Sequence, residues 1–321
     1  MIQRSLSFLI LFIVCGCNSG DQPSGSWELA SQGFFTGALS ENGALAVVGS
    51  LNHGASLWRT TDHERMFNWA HKSGEYVELV SADFSPDGTR AVTTDPRTLV
   101  LWDTESGRAL NFWATPGTAL DVAVLNNNRH VLLGLDDHSA LLFDAISGAY
   151  ETTFLHEGVV GAVAIDSKGE TAVTGSDDNT AKLWSLNSGE LLQTFSHTNP
   201  VRTVALSGQS TYTFTAAQND LVAIWHNESG QKLRVLHENE NHGVISARFS
   251  KDESLLAVGY VNRRVTLFEV ATGRALQTWD SGTRHGMRAT GSAILEIAFD
   301  ESLSALYALA GDSRLLKLRR S

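Results

Sequence analysis

Short apolar runs alternate with polar turns along most of this chain. The clearest stretch, residues 156–185, reads HEGVVGAVAIDSKGETAVTGSDDNTAKLWS. An apolar run (VVGAVAID) leads through a polar turn (DSKGE) to a second run (TAVTGS). Another turn then leads to a third run that ends on Trp184. The order recurs. First runs read VELVSADFS, ALDVAVLN, VRTVALSG, VISARFSK and AILEIAFD, and second runs AVTT, HVLLGL, TYTFTA, LLAVGY and ALYALA. Third runs end on Trp58, Trp102, Phe143, Trp184, Trp225, Phe268 and Leu318, spaced by 44, 41, 41, 41, 43 and 50 residues. A Ser-Gly or Thr-Gly turn and a fourth short run, such as LLQTF or ALQTW, follow. No stretch sustains a 3.6-residue period with helix caps, so the pattern predicts short strands, tight turns and little helix.

Seven such units fill residues 27–321, about 42 residues each. This period, the four strands per unit and the Trp102-Asp103 pair resemble the WD40 (WD-repeat) family. The resemblance covers essentially all of residues 27–321 and implies an all-β, seven-bladed β-propeller of four-stranded antiparallel blades. The seventh unit stops after its third strand, and a stray fourth-strand-like piece, Trp27–Ala30, stands at the start. That piece is expected to pair onto blade seven and close the ring, removing an exposed edge.

The first residues follow another rule. Arg4 precedes a ten-residue apolar run, residues 5–14, half of what a membrane-spanning helix needs. Val14-Cys15-Gly16-Cys17 then resembles the lipobox of bacterial lipoproteins, with Cys17 as the acylated residue. The division expected is a signal peptide at 1–16, a lipidated cysteine with a flexible tether at 17–26, and the propeller at 27–321. Asn18, rather than Asp, favours the outer membrane in that family. The expected location is the bacterial cell envelope, anchored in the outer membrane and facing the periplasm.

Composition narrows the function. Lys and Arg total 24 against 35 Asp and Glu, a formal charge of −11, and loss of residues 1–16 leaves −12. That excludes broad wrapping of nucleic acid. Both cysteines, Cys15 and Cys17, precede the repeats, so the repeats hold no disulfide and no thiol nucleophile. No P-loop, G-x-S-x-G or H-E-x-x-H motif occurs. The expectation is a non-catalytic, monomeric protein without cofactor or metal. His237 and His242 flank two glutamates, but in an inter-blade loop without preorganised ligands.

In WD repeats a His, a Ser or Thr, an Asp and a Trp form a hydrogen-bonded set within one blade. The resemblance assigns these places to His156, Thr174, Asp178 and Trp184, and to His197, Thr215, Asn219 and Trp225; the other blades read as incomplete. The 50-residue spacing places an enlarged loop at residues 280–292, carrying Arg284, His285 and Arg288. With Arg263, Arg264 and Arg314 it makes a candidate basic docking patch, opposed on the same face by Asp136, Asp137, Asp177 and Asp178. The function expected is a membrane-anchored protein-interaction scaffold. A ligand- or glycan-binding propeller using aromatics and amides at the channel mouth is the second reading, and a quinoprotein-like enzyme the third.

Overall fold

A computed structural model describes residues 20–30, 33–50, 54–71, 78–236, 243–282 and 293–321. The signal segment, Cys17, the His237–His242 pair and the loop residues Arg284, His285 and Arg288 lie outside these. The described residues form twenty-eight strands and no helix, grouped into seven four-stranded antiparallel sheets. The innermost strands are β2 (Phe34–Leu39), β6 (Ser81–Phe84), β10 (Ala119–Val124), β14 (Val160–Ile165), β18 (Val201–Leu206), β22 (Val244–Phe249) and β26 (Ile294–Phe299). Each contacts the next, and β26 contacts β2, so the seven blades close a ring around a central channel.

Burial explains why the runs do not alternate strictly. The middle strands of a blade are covered on both faces by neighbouring blades. Every residue of β12 (Ser139–Asp144) and β23 (Leu255–Tyr260) is buried, so these read as continuous apolar segments. The outer strands β13 (Tyr150–Leu155) and β17 (Leu191–Ser196) are mostly exposed and mix Thr, Glu and Gln with their apolar residues. Between blades six and seven, Val265, Leu267 and Trp279 pack on Ile294, Ile297, Leu306 and Leu316. At about 25 cal/mol per Å² of apolar surface, such interfaces are the main force holding the ring together.

Ring closure occurs as expected, two residues earlier than the sequence placed it. β1 (Gly25–Glu28) pairs with β28 (Arg314–Arg319) from Gly25↔Lys317 to Glu28↔Arg314, completing blade seven. Leu29 is buried beyond the strand, and its N–H donates to the Ser313 carbonyl. Trp27 stacks on His63 of blade one at 4.0 Å, bracing the seam.

Residues 20–26, expected as free tether, are docked. Asp21 bridges Trp279 at the outer edge of β25 (Ala275–Asp280), and its carboxylate accepts from Gln277 Nε2 at 2.6 Å. Ser24 then donates its N–H to the Lys317 carbonyl. An outer strand presents unpaired N–H and C=O groups, and this segment satisfies some of them across blades six and seven.

Candidate functional site

Each blade turns from its second to its third strand at one end of the ring, here called the upper face. Blade four brings its set together there. The Trp184 indole N–H donates to Thr174 Oγ1 at 2.8 Å, and Thr174 Oγ1 lies 2.7 Å from His156 Nε2. His156 Nδ1 is 2.8 Å from Asp178 Oδ2. One proton arrangement serves all three contacts. The indole donates to the hydroxyl, the hydroxyl to Nε2, and Nδ1–H to the carboxylate. Burial lowers the His156 pKa against the pull of Asp178, which keeps the ring neutral as this arrangement requires. Desolvation works against the Asp178 carboxylate, but bonds from Thr180, the Glu157 amide and His156 bring it down to about 2.

Blade five differs from its expected set at one position. Trp225 Nε1 donates to Thr215 Oγ1 at 2.7 Å, and His197 Nε2 meets the same oxygen at 2.9 Å. Asn219 does not complete the set. It occupies the left-handed turn position at φ 53°, and Asp220 takes the acid place. Asp220 Oδ2 accepts the Thr198 N–H at 2.7 Å, but lies 3.7 Å from His197 Nδ1, which has no hydrogen-bond partner.

Blade two carries a complete set that the sequence reading missed. Trp102 Nε1 and His71 Nε2 each lie 2.8 Å from Thr93 Oγ1. His71 Nδ1 sits 3.2 Å from Asp95 Oδ2 and 2.8 Å from Thr98 Oγ1. The turn after Thr93 is shorter, so the acid follows the threonine by two residues instead of four. Thr93, nine residues before Trp102, was the available signal.

These His–Thr–Asp groupings resemble catalytic triads in composition. In each, however, the hydroxyl is held by an indole and an imidazole, and Thr93, Thr174 and Thr215 are fully buried. The described histidines of these sets are committed to blade structure.

The expected charged patches change in detail. Arg314 is not free for docking. Its guanidinium pairs with Asp312 and donates to the Ser281 and Gly282 carbonyls, fixing the start of the blade-six loop. Asp177 pairs with Arg202 at 2.7 Å, and Asp178 belongs to the blade-four set. Asp136 and Asp137 remain exposed. Arg263 stands in the blade-six turn and Arg264 opens the third strand of that blade, neither with an ion pair among the described residues. Arg263 is held at φ 72°, where blade four places Asn179 at φ 68°. A left-handed Arg is uncommon and strained relative to Gly or Asn. Among the described residues one group has metal-ligand spacing: His130, Asp144 and Glu151. Asp144 is already paired with Arg129, and His130 with Glu151.

The fold and these buried chains define a seven-bladed propeller whose better-formed blades are pinned from indole to carboxylate. Residues 149–185 and 189–226, which contain the blade-four and blade-five sets, match the WD40 family described as WD domain, G-beta repeat. These matches and the seven-bladed ring support a WD40-type propeller. No curated protein matches the chain.

Proposed function

We propose that this chain is a lipid-anchored, non-catalytic protein-interaction scaffold of the bacterial cell envelope. The WD40 propeller is in general an interaction platform, and the upper-face turn of blade six is the docking element proposed here. The observation that carries the reading is Arg263. A strained, positively charged residue stands where Gly or Asn is sterically preferred, beside Arg264 and at the base of the loop carrying Arg284, His285 and Arg288. The same turn position is left-handed at His138 in blade three and Ser313 in blade seven, so it is the charge placed there, rather than the backbone, that sets Arg263 apart. On a chain of net charge −11 the patch suits an acidic protein surface.

Anchoring follows from Cys17 and the lipobox resemblance. With Gly20 lying against Thr278 and Asp280, only Asn18 and Ser19 stand between the body and Cys17, a reach of about 10 Å at full extension. The outer wall of blades six and seven then lies against the bilayer, in the outer membrane of the family's sorting pattern. The test is in-cell crosslinking and co-purification of the full chain beside a variant with Arg263, Arg264, Arg284 and Arg288 changed to Glu. A partner held by the wild type and lost from the variant supports the docking face. Identical recoveries would sink it. Metabolic labelling with palmitate, lost in Cys17→Ser, checks the anchor.

A further inference from the structure

The outer strand of blade two departs from those of the other blades. β9 (Ala109–Ala114) ends its sheet, so one of its edges has no partner strand. Thr115 donates its N–H to the Arg97 carbonyl, which sets the alternation of the ladder to β8 (Thr98–Asp103). Trp113 then bonds inward, and Phe112 and Ala114 turn their N–H and C=O groups to the open edge. Leu110, Phe112 and Ala114 are all exposed, Phe112 by 45%. The pairing of third with fourth strands puts Asn68, Thr153, Thr194 and Thr278 in the place of Phe112 in blades one, three, four and six. An aromatic ring thus stands in solvent where the repeat elsewhere places a polar side chain. His71 meets the ring edge-on at 6.3 Å, which directs it without covering it.

Other outer strands guard their edges. β5 (Glu64–Trp69) opens with Glu64 and Arg65, β13 carries Glu151, and β21 (Lys232–Val235) carries Lys232 and Arg234. β1 is four residues long and ends on Glu28, and Asp21 covers part of β25. Charge, shortness and a covering segment each discourage pairing with another chain. β17 also lacks charge, but Thr194 holds the place of Phe112 there. β9 has none of these guards among the described residues.

The charges lie beyond its two ends. Arg108 precedes β9, exposed and with no ion pair among the described residues. Past the other end, Gly117 lies against the Asp136 carboxylate, and Asp136 and Asp137 are exposed. An antiparallel copy of β9 centred on Phe112 sets Leu110 against Ala114, large against small, and Phe112 against Phe112. It also runs Arg108 of each copy toward Pro116 and Asp136 of the other. The strand is therefore complementary in charge to its own reverse, and a second copy satisfies that match twice.

We infer that β9 pairs antiparallel with β9 of a second copy, joining two blade-two sheets about a twofold axis at Phe112. The contact is smaller than the about 800 Å² per partner of a standard interface, so the pairing is weak and the chain is monomeric when dilute. On the anchoring reading above, copies share one membrane surface, which raises their effective concentration. The pairing itself does not rest on that reading.

The test is sedimentation equilibrium of the purified full chain from about 5 to 200 µM, at about 0.05 M salt where surface charges are weakly screened. A reversible dimer with Kd about 50 µM is expected, weakened severalfold at about 0.5 M salt. Phe112→Thr installs the residue other blades hold and is expected to weaken pairing at least tenfold. Arg108→Glu is expected to weaken it similarly, and adding Asp136→Lys to Arg108→Glu to restore it. Thr194→Ala, at the matching place in blade four, is expected to leave it unchanged. The repeats hold no cysteine, so Phe112→Cys places one thiol at the axis. Mild oxidation of cell membranes is expected to link two copies through it, and not through Thr194→Cys. A monomer throughout the concentration range overturns the inference. So does a dimer indifferent to Phe112→Thr and Arg108→Glu, or a Phe112→Cys crosslink to a different protein, which makes β9 a site for another chain. A monomer that still takes up palmitate refutes the pairing and leaves the anchor standing, and a dimer without palmitate does the reverse.

Discussion

Thr174→Val tests whether the buried chain of blade four stabilises the ring or merely occupies it. The substitution keeps shape and removes one oxygen from a fully buried site. It leaves Trp184 Nε1 and His156 Nε2 without their 2.8 Å and 2.7 Å partner. Each buried polar group left unpaired costs about 1–3 kcal/mol, and the extra methyl returns about 1 kcal/mol of apolar burial. The expected net loss is about 3 kcal/mol, against about 1 kcal/mol for Thr174→Ser, which keeps the hydroxyl. Adding Trp184→Phe to Thr174→Val removes one orphaned donor. The double variant should therefore be more stable than the sum of the singles by about 1–2 kcal/mol. Urea unfolding followed by far-ultraviolet circular dichroism measures all three. If Thr174→Val lies within about 0.5 kcal/mol of Thr174→Ser, the hydrogen-bonded chain contributes little and packing alone holds the blade.

The same chemistry separates the blades. Asp178→Ala should cost about 2 kcal/mol more than Asp220→Ala in urea unfolding, because Asp178 bonds His156, the Glu157 amide and Thr180 while Asp220 stands 3.7 Å from its histidine. Burial lowers the pKa of His71, His156 and His197, so the unfolded chain takes up protons first. The stability they contribute is whole above about pH 6.5 and should fall as pH drops below it, as melting temperatures between pH 8 and 5 will show. Asp83, on the innermost strand β6, has the opposite sign. Burial raises its pKa, so its cost is absent below 3.8 and grows up to about 7. Asp83→Asn should then stabilise the protein at pH 8, by at most about 4 kcal/mol, and hardly at pH 4. Arg263→Gly should raise stability by up to about 1 kcal/mol in the same urea assay while weakening partner recovery from cells.

The sequence made the ring legible because a propeller repeats one unit, and seven copies of a faint signal add up. The apolar second runs and the terminal aromatics marked strand order even where blades three and six carry Phe143 and Phe268 in place of tryptophan. Local turn length was less legible. The blade-two set is hidden because Asp95 follows Thr93 by two residues, and the blade-five acid lies one residue further on because the left-handed position, Asn219, precedes it instead of following it as Asn179 follows Asp178. The channel charges left no local trace at all. Asp83, Asp121, Arg248 and Glu296 are far apart in sequence, and nothing beside any of them announces the others. Only closure of the ring brings Arg248 against Glu296 and within electrostatic reach of Asp83.

That closure also links the amino-terminal segment to the blade interfaces. Asp21 engages blade six, Gly25–Glu28 completes blade seven, and Trp27 stacks on His63 of blade one. A single segment of eight residues thus ties three blades across the seam. Tension on Cys17 from a membrane would load this segment first. The bridge at Asp21, made of few bonds on an outer edge, gives way before the four-residue ladder of β1, whose exit Leu29 anchors in the core between blades seven and one. Leu29→Ala should cost about 2–4 kcal/mol through the cavity it leaves, and it should loosen the seam rather than a single blade. Hydrogen exchange would then rise in β1, β28 and the start of blade one together. Exchange confined to residues 25–29 would mean that blade seven holds its place without its outer strand, and that the strand covers an edge without locking the ring.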